Sequence, residues 1–162
     1  MATVDYFLKI KGIEGESQDD THKGEIEIDS FSWGAVQAGS HAGGGGGGAG
    51  KVQMQDFHFT MRINKSSPKL FLACASGEHI SEAVLTCRKA GGEQQEFLKW
   101  TFTDLLVSSY QTGGSSHSEI VPTDQVSLNF AAIKVDYRAQ NPKGGLEGAI
   151  SAGWNLKANK KV

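Results

Sequence analysis

The 162-residue sequence lacks the features that direct a chain to a membrane or to nucleic acid. No stretch approaches the roughly 18 apolar residues that a membrane span needs. Near the N-terminus Asp5 stands where a signal peptide is positively charged, and Lys9 interrupts the apolar residues. The formal net charge of −2 gives no general attraction to nucleic acid or anionic lipid. We therefore expect a protein made in the cytosol, without membrane insertion and without a nucleic-acid partner.

Cysteine is scarce as well. Cys74 and Cys87 are the two cysteines of the chain, and we interpret them as small core residues in a reduced compartment rather than as a disulfide or a nucleophile. The length and the 38% hydrophobic content predict one domain over residues 1–162 with a substantial core.

Motifs for catalysis and cofactor binding are absent or incomplete. Gly45–Lys51 satisfies the first seven positions of a phosphate-binding P-loop, but Val52 stands where Ser or Thr holds magnesium. A strand pattern also follows where a helix would have to begin, so no helix N-terminus faces a phosphate. The sequence therefore predicts no nucleotide site and no other cofactor.

Three further patterns have simpler explanations than chemistry. Ser66–Lys69 has a serine–lysine spacing without the partner motifs of penicillin-recognising enzymes, and a helix cap explains the serines better. Asp56 and His58 share one strand face, but no third metal ligand accompanies them. We expect His22, His41, His79 and His117 to be solvated. The sequence predicts no metal, no catalytic residue and no enzyme.

What the chain does have is glycine. Gly43–Gly48 is an uninterrupted run inside a loop that we place at residues 38–51. Ordering each residue costs roughly 1–2 kcal/mol, and glycine brings no side chain to offset that cost. The loop is therefore loose, or something outside the subunit orders it. Its candidate contact residues are His41, Gly43, Gly44, Gly45, Gly46, Gly47, Gly48 and Lys51.

The remaining pattern is mostly of period two and predicts an all-β domain. Strand patterns cover the stretches 6–10, 26–33, 57–63, 83–89, 97–107, 126–137 and the residues around 153–156, and the stretch 97–107 is apolar on both faces in places. The alternation changes phase at Asp29–Ser30 and again between Phe130 and Ile133, and a β-bulge explains each change. The first bulge directs Ser32 away from Phe31 and Trp33.

One helix is expected between Ser67, as N-cap, and Gly77, as C-terminal stop, with an apolar stripe of Leu70, Phe71 and Cys74. The bulged strands favour a barrel, or a two-sheet sandwich bent nearly into one.

Three function classes fit this pattern: a protein that assembles with copies of itself, a binding module with a mobile lid, and a β-barrel enzyme whose site leaves no sequence signature. The first is favoured, because long strands leave edges that must be paired, covered or charged. Lys9, Lys11 and Lys134 are the main candidates for charged edge residues, and Lys157, Lys160 and Lys161 are interpreted as a solvated tail.

Thirteen short motifs follow one another between about residues 4 and 157. They are Phe7–Ile10, Gly15–Ser17, Thr21–His22, Ser32–Gly34, Gly47–Val52, Ser66–Pro68, Ala73–Gly77, Arg88–Glu93, Leu106–Ser109, Thr112–Ser115, Asn129–Phe130, Val135–Tyr137 and Gly153–Asn155. In this order they resemble the motifs of the haemolysin-coregulated protein (Hcp) family, the tube proteins of bacterial type VI secretion systems.

The resemblance implies a small β-barrel of two sheets with a flanking helix, and a hexameric ring that stacks into a hollow tube. It implies export through the type VI apparatus, with sheath and spike proteins as partners and small effector proteins in the lumen. It places Ser32 at the lumen and the 38–51 loop against neighbouring subunits. We expect no effector domain after the barrel.

Overall fold

The computed structural model describes residues 4–37, 51–89 and 94–162, and this part of the chain forms eleven strands and one helix. The strands are β1 (Val4–Ile10), β2 (Ile26–Glu27), β3 (Ser30–Ser32), β4 (Ala35–Gln37), β5 (Val52–Met54), β6 (Phe57–Arg62), β7 (Ile80–Lys89), β8 (Gln95–Gly113), β9 (Thr123–Tyr137), β10 (Ile150–Asn155) and β11 (Lys160–Lys161). The helix, α1, spans Ser67–Ser76.

Two sheet layers share the long antiparallel hairpin of β8 and β9. One layer has the strand order β11-β10-β9-β8-β7-β1-β2, and β6 pairs with β9 and β3 with β6 to make the other. The first half of β9, from Thr123 to Leu128, pairs with β6, whereas the second half, from Ala132 to Tyr137, pairs with β10. The hairpin therefore carries the chain from one layer into the other. The predicted two-sheet β architecture with one helix is confirmed.

The layers meet again between β2 and β3. Here the backbone N–H of Ile28 donates to the carbonyl oxygen of Tyr6 at 3.2 Å, and that of Asp29 donates to Thr60 at 2.8 Å. The chain thus leaves β1 and joins β6 within two residues. The predicted bulge at Asp29–Ser30 is wrong: the phase changes because the chain changes its partner strand.

The second phase change is not a bulge either. The register of β8 against β9 is unchanged from Thr103↔Ala132 to Leu105↔Phe130. Between these pairs Asp104 has a φ of 51°, which a residue with a Cβ rarely adopts. The carbonyl of the facing Ala131 accepts from the N–H of Leu156 instead. The strand bends at Asp104, and this bend separates the halves of the hairpin.

Helix α1 begins one position away from the predicted place. Ser66 is the N-cap, and Ser67 instead donates its hydroxyl to the buried Asp124 Oδ2 at 2.5 Å. Gly77 ends the helix with a φ of 66°, as predicted. Leu70 is buried, but Phe71 is 59% exposed, so the predicted apolar stripe is narrower than expected.

The core is a cluster of aromatic and branched residues between the layers. Phe57 lies at its centre, with its ring 4.6 Å from that of Phe102 and 5.8 Å from that of Phe31. Cys87 is also buried, and burial raises the pKa of its thiol to about 12. A thiol held neutral in this way is unreactive. This agrees with the prediction of a small core residue.

The predicted charged edges lie elsewhere. Lys9 is in β1 and Lys134 is in β9, and both strands are paired on two sides. The strand at the end of the order is β11, so Lys160 and Lys161 are edge-strand residues rather than a free tail.

A buried arginine fixes the loop between β1 and β2 to the outer face of the first layer. Arg88 on β7 is 3% exposed and donates two hydrogen bonds to Asp19, at 3.0 and 2.7 Å. A third bond of 3.3 Å reaches Asp5 on the paired strand β1. The hydrogen bonds from Arg88 hold the pKa of the Asp19 carboxyl far below its usual range.

The same loop buries His22, which sequence reasoning placed in solvent. Its ring stacks on that of Phe7 with centroids 4.4 Å apart. Its two nitrogens lie 2.8 and 2.7 Å from carboxylate oxygens of Glu25 and Glu96. Gly15 lets the loop cross β2 closely, because a Cβ there would lie 2.5 Å from the carbonyl oxygen of Glu25.

We predict that Asp19→Asn lowers the free energy of unfolding at pH 7 by about 2 kcal/mol, because Arg88 loses charge-assisted hydrogen bonds. A carboxyl whose pKa is depressed by folding stabilises the protein above its unfolded pKa and loses that effect on acidification. The difference from wild type should therefore shrink as the pH falls below about 4. Urea unfolding at pH 7 and pH 2.5 measures it. Asp20→Asn, at an exposed neighbour, is the control, and an equal loss in this variant contradicts the assignment.

Candidate functional site

The outer face of the second layer is built from two rows of polar side chains. Strand pairing sets one row as Ser32, His58, Ser127 and Ser109, and the next as Ser30, Thr60, Gln125 and Gln111. The alternate residues of the same strands, such as Phe31, Phe59 and Val126, point into the core. Period-two alternation on four strands therefore produces one continuous polar face, which we call the polar rows.

The polar rows contain hydroxyl, amide and imidazole groups but no carboxylate, lysine or arginine. They line an open groove of about 410 Å³. Ser30 and Thr60 share a hydrogen bond of 2.6 Å between their hydroxyls. Such a surface offers many hydrogen-bonding groups and little net electrostatic field.

A β-bulge organises one border of this face. The register of β8 shifts between Val107 and Ser109, so Ser108 is an additional residue. Its hydroxyl donates to Asp56 Oδ2 at 2.6 Å and lies 2.8 Å from the hydroxyl of Ser127. The other oxygen of Asp56 accepts from Asn129 at 2.9 Å. Asp56 therefore serves as a structural acceptor.

Asp56 and His58 do not form a metal centre. Among the described residues no group of three or more histidine, cysteine, aspartate or glutamate side chains is close enough to hold an ion.

Within the same part of the chain, no helix is long and apolar enough to cross a membrane.

Ser32 lies on the face of the strand opposite Phe31 and Trp33, as the sequence predicted, although the predicted bulge is not the cause. Its side chain is exposed, while those of Phe31 and Trp33 are half-buried, and Trp33 packs edge-on against Trp100 at 5.2 Å. The partner change at residues 28–29 sets this orientation. The structure places Ser32 at the end of one polar row, next to His58.

The glycine loop emerges from a separate two-stranded ribbon. β4 and β5 pair from Ala35↔Met54 to Gln37↔Val52 and pair with no other described strand. Val36 on this ribbon is 57% exposed. Lys51 precedes β5 and is exposed, and the strand predicted after it is present. The other predicted loop residues, His41 and Gly43–Gly48, lie outside the described residues.

Sequence reasoning missed most members of the polar rows. Ser109, Gln111, Gln125 and Ser127 alternate with apolar residues along their strands, and this signal was available. The pairing that brings these residues into line with Ser32 was not available, because Ser109 and Ser127 come about 75 to 95 residues after Ser32 in the chain.

Comparison with known proteins decides the family. A family model described as "Type VI secretion system effector, Hcp" matches residues 7–137. Protein hcp1 of Pseudomonas aeruginosa is 50% identical over 158 residues, which cover 96% of this chain and 97% of that protein. The chain belongs to the Hcp family. It is a type VI secretion system tube protein, as its motifs predicted.

Solved structures of Hcp proteins have the same fold. Hcp1 from Salmonella typhimurium is 42% identical with a TM-score of 0.81, and the match covers 99% of this chain and 100% of that one. A structure titled as a type six secretion system protein is 31% identical with a TM-score of 0.92, covering 98% and 99% of the two chains. The structural role of a tube protein agrees with the expectation that the chain is not an enzyme.

Some residues of the polar rows are buried and hydrogen-bonded, whereas others are exposed. Alanine substitution should distinguish the two kinds by their effect on the free energy of unfolding. We predict that Ser127→Ala lowers the free energy of unfolding by about 1 kcal/mol, because Ser127 is 2% exposed and its hydroxyl contacts those of Ser108 and Ser109. Ser32→Ala should change it by less than about 0.5 kcal/mol, because the side chain is exposed. Thermal unfolding of both variants tests this, and a larger loss for Ser32→Ala contradicts it.

Proposed function

We propose that six copies of this chain form a ring, that rings stack into a hollow tube, and that the polar rows face the lumen and hold small effector proteins. Family membership over nearly the whole chain is the observation that carries this proposal. The tube is exported through the type VI apparatus, with sheath and spike proteins as its other partners. The protein acts there as a carrier and has no catalytic role.

The composition of the polar rows supports a cargo surface. A surface that must hold one protein and later release it needs contacts that are numerous but individually weak. Exposed hydroxyl and amide groups provide such contacts, since each net hydrogen bond contributes only about 0.5–1.5 kcal/mol. The missing carboxylates and lysines also remove charge repulsion against effectors of either sign. Ser32 and His58 lie in the open part of this face.

The ribbon of β4 and β5 supports a role for residues 38–51 between subunits. Its strand β4 contributes exposed residues, namely Ala35, Val36 and Gln37, whereas Met54 on β5 packs against the core. A loop without bulky side chains allows the backbone of a neighbour to approach closely. We assign His41, Gly43–Gly48 and Lys51 to contacts between neighbouring subunits, with stacking of rings as their main role.

Light scattering with size exclusion, followed by electron microscopy, tests the assembly. The proposal expects a mass near six times the 17.3 kDa subunit and rings with a central hole. A mass of one subunit at every concentration would instead favour a monomeric domain that binds a ligand under the glycine loop.

We expect Ser32→Arg to reduce retention of a co-expressed type VI effector at least tenfold while rings persist, because a long charged side chain occupies the proposed contact. Ser81→Arg is the matched control, since Ser81 is exposed on β7 in the other layer. Co-purification of effector with tagged rings measures the retention. Equal retention by wild type and Ser32→Arg removes Ser32 from the cargo surface.

Shortening Gly43–Gly48 to two glycines should weaken ring stacking more than subunit folding. Sedimentation of tubes and thermal unfolding of the same sample separate the two effects. Loss of folding in the shortened protein would assign the loop to the core and contradict its role between subunits.

A further inference from the structure

Charge is distributed unevenly along this nearly neutral chain. Residues 14–29 contain seven acidic side chains against Lys23, whereas residues 148–162 contain three lysines and no acidic residue. The acidic side chains are Glu14, Glu16, Asp19, Asp20, Glu25, Glu27 and Asp29, and the lysines are Lys157, Lys160 and Lys161. The net charge of −2 therefore conceals an acidic and a basic segment.

The fold places these segments at opposite ends of one sheet. β2, which contains Glu27, ends the strand order on one side, and β11, which consists of Lys160 and Lys161, ends it on the other. We call the residues around β2 the acidic edge and those of β11 the basic edge. No described strand pairs with β11 beyond β10. The loop that contains Gly15 and Ser17 already bonds to Glu25 beside β2, so the acidic edge offers the exposed side chains of Glu27 and Asp29 rather than an open strand edge.

Several of these charges are not used within the subunit. Asp19 and Glu25 bind Arg88 and His22 inside the loop that covers β1. By contrast, Glu27 and Asp29 are exposed and form no ion pair among the described residues. The same holds for Lys160 and Lys161.

The acidic edge is concave where these carboxylates lie. Glu27 and Asp29 line two adjacent grooves, of about 420 and 320 Å³. Glu16 and Arg62 line the first groove as well, and the second also contains Arg88, which is already bound to Asp19 and Asp5. Carboxylates thus outnumber the bases, and the grooves suit the long aliphatic stem and terminal ammonium of a lysine.

We propose that the acidic edge of one subunit receives Lys160 and Lys161 of the next, so that opposite charges set the polarity of the ring. The inference rests on the proposed ring and adds which surfaces meet. Contact between two different edges is a heterologous interface. Each subunit offers its acidic edge to one neighbour and its basic edge to the other, and such head-to-tail contacts can close into a ring. Two identical edges would repel each other, so the charges also disfavour a symmetric dimer.

Charge reversal on each edge, and on both together, tests the proposal. Glu27→Lys with Asp29→Lys, or Lys160→Glu with Lys161→Glu, should raise the dissociation constant of the ring at least tenfold in 50 mM salt. The quadruple variant exchanges the charges and should recover to within threefold of wild type. Mass photometry over a concentration series measures all four proteins. Glu78→Lys with Glu82→Lys is the control for the acidic-edge variant, because it raises the net charge by the same amount at exposed residues away from both edges.

Rings that withstand both reversals, or a control variant that dissociates as readily, would overturn the proposal. A quadruple variant that does not recover while folding normally by circular dichroism would overturn it too. If a reversed variant fails to fold, Glu27→Gln with Asp29→Asn and Lys160→Gln with Lys161→Gln replace it, and unchanged rings then count against the contact. A wild type that never forms rings refutes the proposed function instead.

Discussion

The shared β8–β9 hairpin is the constraint on which the rest of the structure depends. A strand that pairs with β7 at one end and lines the polar face at the other must bend, and Asp104 accepts an unfavourable φ of 51° at that bend. The bulge at Ser108 then resets the side-chain alternation beyond it. Together they allow two layers to enclose one core of aromatic residues, and they direct Ser109 and Gln111 to the same face as Ser32.

Buried polar contacts hold the remaining elements against this hairpin. Asp124 on β9 accepts hydrogen bonds from Ser67 on α1 and Tyr110 on β8, and burial together with this contact raises the pKa of the tyrosine. Arg88 on β7 likewise donates hydrogen bonds to Asp19 and so holds the loop between β1 and β2. Because a buried polar group without a hydrogen-bond partner costs free energy, these contacts favour the observed positions of the helix and the loop. The outward surfaces of the two layers differ. The second layer has the polar rows, and the first layer has the two charged edges.

Much of the fold was predictable from period-two patterns, because burial of alternate residues is a local property of a strand. The stretches 57–63 and 83–89 match β6 and much of β7, and Gly77 ends the helix as expected. The phase changes were located correctly but explained wrongly. A bulge, a bend and a change of partner strand all shift the alternation of apolar residues in the same way. His22 was misplaced for a similar reason: its burial depends on Phe7 and on Glu96, which is 74 residues away.

The sequence by itself determined the family, the β architecture and the side of the strand on which Ser32 lies, since motif order and alternation are properties of the linear chain. Tertiary structure alone decided which strands meet. It assembled the polar rows from four separate segments and turned Lys160 and Lys161 from an apparent tail into the edge opposite Glu27 and Asp29. Pairing between distant strands depends on the global packing of the core, and no local pattern encodes it.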